Sequence, residues 1–226
     1  MLDRPFTFIN SAMSADGKIS TKRRKQVKIS GKADFDRVDE LRATSDAVMV
    51  GIGTVLADDP SLTVKSPERR QQRVARGLEE NPARVVVDSQ ARTPVTADIF
   101  NKGVGKRIIV VSKAAPAERV RPLATKAEII VAGESEVDLA QMVVELKKRG
   151  IGRLMVEGGA TLNYGMMSNR LVDELSVFVG NLIIGGRDAP TLMDGPGITE
   201  RSEAVGLKLA RCEPMDEGIV LTWKVL

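Results

Sequence analysis

Asp46–Thr63, DAVMVGIGTVLADDPSLT, decides how the chain is read. Ala47-Val48-Met49-Val50 is an apolar, β-branched run with the length of one buried strand. Gly51 and Gly53 follow. Glycine lets backbone approach a ligand closely, and Thr54 sets a hydroxyl beside it. Two carboxylates come next, Asp58 and Asp59, pinned by Pro60. A strand that ends in glycine and then delivers an acid is one way to build a site at the carboxyl edge of a sheet. Read alone, the stretch also fits a strand, a turn and a solvated acidic loop.

Outward from this stretch, strands and helices alternate. Phe6–Asn10 reads as an opening strand, followed by a turn at Asp16-Gly17. The cations Lys22, Arg23, Arg24, Lys25 and Lys28 form a basic loop. Ser30 is placed to cap a helix over Lys32–Ala43. The Arg-rich segment Ser66–Asn81 reads as an exposed helix or loop, an insertion outside the core. Strands are expected at Arg84–Ser89, Lys106–Ser112, Ala127–Ala132, Gly152–Glu157 and Glu174–Val179. Helices are expected at Pro116–Thr125, after a Ser135 cap, and from Gly158-Gly159 to about Asn169. Val205–Arg211 and Gly218–Val225 alternate as a closing antiparallel hairpin. The pattern predicts one α/β domain over residues 1–226: a mostly parallel central sheet, an antiparallel C-terminal hairpin and helices on both faces.

The chain has 226 residues, of which 42% are hydrophobic and only 3% aromatic, so aliphatic side chains and 9 Met must fill the core. A formal net charge of +4 favours anionic ligands. There is no histidine, which excludes Ser-His-Asp and Cys-His catalysis and histidine metal sites; no metal is expected. The single Cys212 excludes an intrachain disulfide and a CxxC site. No signal peptide and no apolar run near the length of a membrane span is evident, so the expected location is the cytoplasm.

Without histidine, carboxylates are the candidates for proton transfer, first Asp58 and Glu157. Gly158-Gly159 follows a strand and opens a helix, where free N–H groups can bind phosphate; it is also what a tight strand-to-helix turn looks like. Strands ending at Gly51/Gly53, Asp88/Ser89, Ser112, Gly133 and Gly158/Gly159 would open on one sheet edge, where dinucleotides lie. Such a cofactor would supply the harder chemistry.

Several segments carry a resemblance: NSAMSADGKIS, VDELRATSDAVMVGIGTVLADDPSLT, RVVVDSQARTP, MVEGGATLNYGMM, RLVDELSVFVGNLIIGG and APTL. Together they resemble the riboflavin-pathway reductases, from about Phe6 to the C-terminus. The resemblance implies a dihydrofolate-reductase-like fold, a homodimer, and NADPH (or NADH) reducing the ribosylamino group of a phosphorylated pyrimidine to a ribitylamino group. Relatives fused to a zinc deaminase carry H-x-E and PCxxC motifs; their absence makes the stand-alone form the expectation.

By the same resemblance Thr54, Asp58, Val86, Val87, Asp88, Ser89 and Val131 match cofactor positions, and Gly158, Gly159, Ala160 and Thr161 match the diphosphate turn. Asn10, Ser30, Arg42, Leu62 and Glu157 match substrate positions, with Arg42 at the 5′-phosphate. Lys65 stands where the family often has Arg, sometimes His, and would meet phosphate as a point charge. Asp58 either transfers a proton or orients substrate while water carries it. Outside this assignment, Arg42 reads as a surface ion pair and Tyr164 as a packed helix residue or a neighbour of the site. Met166 and Met167 read as core or dimer contacts, and Leu175, Val177 and Val179 as an apolar dimer face. The rival functions are a nucleic-acid module built on the basic loops, a related reductase of another substrate such as a pterin, and a non-catalytic nucleotide sensor.

Overall fold

The computed structural model describes residues 2–25 and 27–226. In chain order the elements are β1 (Phe6–Ser14), α1 (Lys32–Ala43), β2 (Ala47–Gly51), α2 (Ile52–Asp58), α3 (Pro67–Ala75), β3 (Ala83–Val87), α4 (Asp98–Asn101), β4 (Arg107–Val111) and α5 (Ala117–Ala124). They continue with β5 (Glu128–Val131), α6 (Leu139–Lys148), β6 (Arg153–Val156), α7 (Ala160–Ser168), β7 (Glu174–Gly180), a short 3-10 turn, β8 (Leu207–Met215) and β9 (Gly218–Val225). The chain folds as two compact units, one made of the residues up to Phe6 with Asp39–Met155, the other of Thr7–Val38 with Val156–Leu226.

In the first unit the strand order is β5-β4-β3-β2-β6. The pairs β2–β3, β3–β4 and β4–β5 are parallel. Val48, Met49, Val50, Val85, Val86, Ile108, Ile109 and Val110 are all fully buried. That is why these strands read as unbroken apolar runs and not as alternating ones. Register aligns Gly51 with Val87, Val87 with Val110 and Val111 with Val131, so the carboxyl ends expected on one edge lie there together.

In the second unit the order is β1-β7-β9-β8, with β1–β7 parallel and the last two pairs antiparallel. Ile29, Phe178 and Val220 form a small core that Ala12, Val27, Leu182, Ile184 and Met215 cover.

Five local expectations change. The stretch after Gly51 is helix α2, not a loop, because Ile52 and Val55 turn inward and bury themselves. The cap of α6 is Asp138, whose carboxylate accepts from the Gln141 amide at 2.9 Å, not Ser135. The segment Ser66–Asn81 holds α3, and it is anchored. Arg73 is 4% exposed and donates to the Ala43, Ser45 and Glu79 carbonyls, while buried Asn81 accepts from the Val64 amide. Leu175 and Val177 offer no free apolar face, being 4% and 0% exposed, while Val179 is half-buried; Met166 and Met167 are buried, as the core reading of them expects.

The start of α1 is capped from the far end of the chain. Asp216, in the turn joining β8 and β9, accepts from the Ala33 and Asp34 amides at 3.0 Å each. Those bonds hold its carboxyl below the ordinary aspartate range. The cap is therefore the Asp216 carboxylate and not the Ser30 hydroxyl. Gly31 makes room for it, since a Cβ there would stand 2.4 Å from the Asp216 carboxyl carbon.

Candidate active site

The first unit gathers positive charge around the loop that follows α2. Arg42, in the last turn of α1, donates to the Thr63 carbonyl at 3.2 Å. Lys65 Nζ lies 2.9 Å from the hydroxyls of both Ser61 and Thr63. Desolvation lowers the Lys65 pKa first, and repulsion from Arg42 and Lys102 lowers it further. Asp39 and Asp98 act on the same ammonium in the opposite direction.

One carboxylate sets this arrangement. Asp39, one turn before Arg42 and 6% exposed, accepts from the Lys65 amide, from the Ser66 amide at 3.0 Å and from Arg69 at 3.1 Å. Leu62 lies inside the same loop, with its side chain buried and its backbone at φ 53°. That is an uncommon conformation for a bulky residue, and one that concentrates at functional sites.

The carboxyl edge of the same unit carries the expected cofactor positions. Thr54 lies in α2 and is half-buried, whereas Asp58, at its last turn, is exposed. Gly53 faces open space: a Cβ there would meet no atom within 4 Å. Val86 and Asp88 are buried, and Val87 is half-buried. The Asp88 side chain is used inward, since its Oδ2 accepts from the Thr93 amide and hydroxyl at 2.7 Å each. Ser89 ties the edge together: its Oγ accepts from the Val137 amide and its carbonyl from the Ser112 hydroxyl. Val131 is half exposed at the end of β5.

The second unit holds the remaining positions. Glu157 follows β6 and is half-buried. Gly158 has φ 100°, a conformation that glycine alone adopts without strain, and the Gly158–Gly159 peptide is cis. Gly159 is the N-cap of α7 and gives it no side-chain cap, so the first amides of the helix are turned toward whatever lies before it. Ala160 is buried and Thr161 exposed. Asn163, fully buried, donates from Nδ2 to the Leu192 carbonyl and keeps a buried, unpartnered Oδ1. The Tyr164 hydroxyl donates to the Gly197 carbonyl, which is a packing role.

Asn10 and Ser176 are register partners on β1 and β7. Both meet Arg37, a residue that sequence reasoning passed over. Its only signal there was an aspartate one helical turn earlier. Ser30 is buried at 8% exposure just before α1.

With this geometry in hand, comparison with known proteins defines the class. The fold is shared with Acinetobacter baumannii RibD (TM-score 0.80, 24% identity), covering 99% of this chain and 59% of that one. It also appears in Enterococcus faecalis dihydrofolate reductase, at TM-score 0.50 and 10% identity over 97% of this chain and 96% of that one. The dihydrofolate-reductase-like architecture expected from the sequence is thus borne out. More narrowly, residues 5–221 match the RibD C-terminal domain, and the chain belongs to that family. Among its relatives is the 2,5-diamino-6-ribosylamino-4(3H)-pyrimidinone 5′-phosphate reductase of Archaeoglobus fulgidus, 48% identical over 219 residues and covering 97% of each chain. Members of this kind are reductases of riboflavin biosynthesis.

Proposed function

We propose that this chain, residues 1–226 acting as one reductase domain, reduces the ribosylamino side chain of 2,5-diamino-6-ribosylamino-4(3H)-pyrimidinone 5′-phosphate to the ribitylamino product. NADPH is the donor, with NADH the alternative. The observation that carries this reading is the Arg42–Lys65 pair with Ser61 and Thr63, a pocket of charge suited to a phosphate monoester and without purpose for a sugar-free pterin.

Each unit carries groups of a kind that a dinucleotide uses. The uncapped start of α7 at Gly158-Gly159-Ala160-Thr161 would receive the diphosphate. Thr54, Asp58, Val86–Ser89 and Val131 would border the rest. When bound, such a cofactor would supply the hydride that C1′ of the opened sugar takes up. The C=N bond there becomes CH–NH as a proton reaches nitrogen. Asp58 gives or relays that proton, or orients the reactants while water delivers it; Glu157, Asn10, Ser30 and Leu62 hold the substrate. The homodimer reading finds support in β8, an edge strand exposed from Leu207 to Pro214, with Leu207 and Leu209 40% and 53% exposed. The proposed location is the cytoplasm; among the described residues no helix is long and apolar enough to cross a membrane.

The test is oxidation of reduced nicotinamide with freshly made substrate, for wild type, Asp58→Asn and Lys65→Ala. Expected are wild-type turnover, a loss of ~100-fold or more in Asp58→Asn, and a raised KM in Lys65→Ala. No turnover with bound NADPH would overturn the substrate assignment. An undiminished Asp58→Asn would remove Asp58 from the chemistry.

A further inference from the structure

Arg37 lies inside the second unit at the junction of three polar side chains. Its Nε donates to Asp34 at 2.9 Å, with a second nitrogen 2.8 Å from the same oxygen. Its Nη1 donates to the Ser176 hydroxyl at 3.1 Å and its Nη2 to Asn10 Oδ1 at 2.8 Å. Asp34, Ser176 and Asn10 are 2%, 4% and 6% exposed. Arginine has no acceptor and asparagine has one carbonyl and one NH2. A guanidinium held by a buried carboxylate therefore fixes which end of the Asn10 amide faces it. The carbonyl is taken, and the NH2 edge is turned the other way. The buried side-chain polar atoms left without a partner among the described residues are Arg84 Nε, Asp88 Oδ1 and Asn163 Oδ1. Asn10 Nδ2 donates to no group among the described residues and is not one of these buried atoms, so it is open to solvent or ligand.

We infer that Arg37 is a positioning residue that locks Asn10 with its donor edge toward the substrate, and that the substrate group recognised there is a hydrogen-bond acceptor. This rests on the assignment of Asn10 to the substrate side. The acceptor is a neutral carbonyl or unprotonated ring nitrogen of the heterocycle, or an anionic phosphate oxygen. Arg37 does not touch substrate; it decides that Asn10 reads an acceptor and rejects a donor at that point. Asp216, by accepting the Asp34 amide, steadies the far end of the relay.

Asn10→Asp separates the two roles of the side chain. The carboxylate keeps, and charges, the bond to Arg37 but has no N–H to offer. Its expected result is an unlowered Tm, an unchanged NADPH Kd and a substrate KM raised ~10-fold, the scale of leaving one acceptor unpaired. If added salt relieves the increase, the acceptor is the phosphate; if salt does not, it is the heterocycle. Arg37→Met frees the amide to turn over and raises the same KM, and Arg37→Lys restores part of it. A readout independent of the variants is the Asn10 side-chain NH2 pair in an NMR spectrum of labelled wild type, which substrate should shift. Wild-type KM in Asn10→Asp, or an NH2 pair indifferent to substrate, overturns the donor assignment. Arg37→Met that lowers Tm without moving KM makes Arg37 a structural residue only. Absence of wild-type turnover removes the function reading and this inference together; turnover with a normal Asn10→Asp removes this one alone.

Discussion

Replacing Asp39 with alanine tests how the cationic loop is held. The carboxylate is 6% exposed and receives the Lys65 amide, the Ser66 amide and one Arg69 nitrogen. Truncation leaves two backbone N–H groups without their acceptor and takes one acceptor from Arg69. Each orphaned donor is worth about 1–3 kcal/mol when water cannot reach it. Arg69 keeps 19% of its side chain exposed and is left out of the sum. The two amides together make about 2–6 kcal/mol, a fall in Tm of roughly 4–24 °C for a chain this long. Urea denaturation gives the stability, and steady-state kinetics gives the second consequence. With its amide released, Lys65 no longer holds its ammonium beside Ser61 and Thr63, so KM for the phosphorylated pyrimidine rises while NADPH binding is unaltered. Asp39→Asn, which keeps one acceptor, should fall between the two. A loss under ~0.5 kcal/mol, the scale of an ordinary surface change, would refute the energetic argument. A large loss with wild-type KM would refute the link from Asp39 to Lys65.

The Asp16 carboxyl is held at about 2, below its usual 3.8, first by the Ser14 hydroxyl and then by the Ile184 and Gly185 amides. Its contribution is present above pH 3.8 and is lost as pH falls toward 2; unfolding midpoints across that window should fall more steeply in wild type than in Asp16→Asn. Gly31→Ala should destabilise by driving a methyl into the Asp216 carboxylate, and the same change should cost less in an Asp216→Ala background, as a double-mutant cycle in urea would measure. Gly158→Ala should weaken NADPH binding, followed by nicotinamide fluorescence, because alanine is strained at φ 100°.

The sequence made the β-strands plain wherever burial on both faces produces an unbroken aliphatic run, as in Val48–Val50 and Ile108–Val110. It did not reveal α2, since seven residues with a glycine in the first turn have weak intrinsic helicity and form through the packing of Ile52 and Val55. Ser135 and Asp138 are both good caps by composition, and only the path of the chain chooses between them. Arg73 fell in a segment read as exposed, and the burial of Arg84 went unread, because the partners of both are carbonyls that the fold brings up. Arg84 gathers those of Lys102, Gly103, Val104 and Gly105, and its pKa drops to about 10 through burial. Arg42 and Lys65 were reachable through resemblance alone. Arg37 and Asp216 were not, since a partner 139 or 182 residues away leaves no local trace.

The unequal division of the chain has a consequence for its synthesis. The unit built mainly from Asp39–Met155 is nearly continuous in sequence, and its strands find partners soon after they leave the ribosome. The other unit opens with β1, where the Thr7 amide donates to the Asp173 carboxylate across 166 residues and the Asp173 amide donates back to the Thr7 carbonyl. Loop-closure entropy grows only logarithmically, to about 4–5 kcal/mol at this span, so the handicap is one of waiting and not of energy. The first strand made cannot pair with β7 until that strand has been translated, and the first helix must wait for its cap until the final hairpin emerges. Nascent chains stalled before Glu174 would therefore hold a translated β2-β3-β4-β5 sheet and a β1 that still lacks β7.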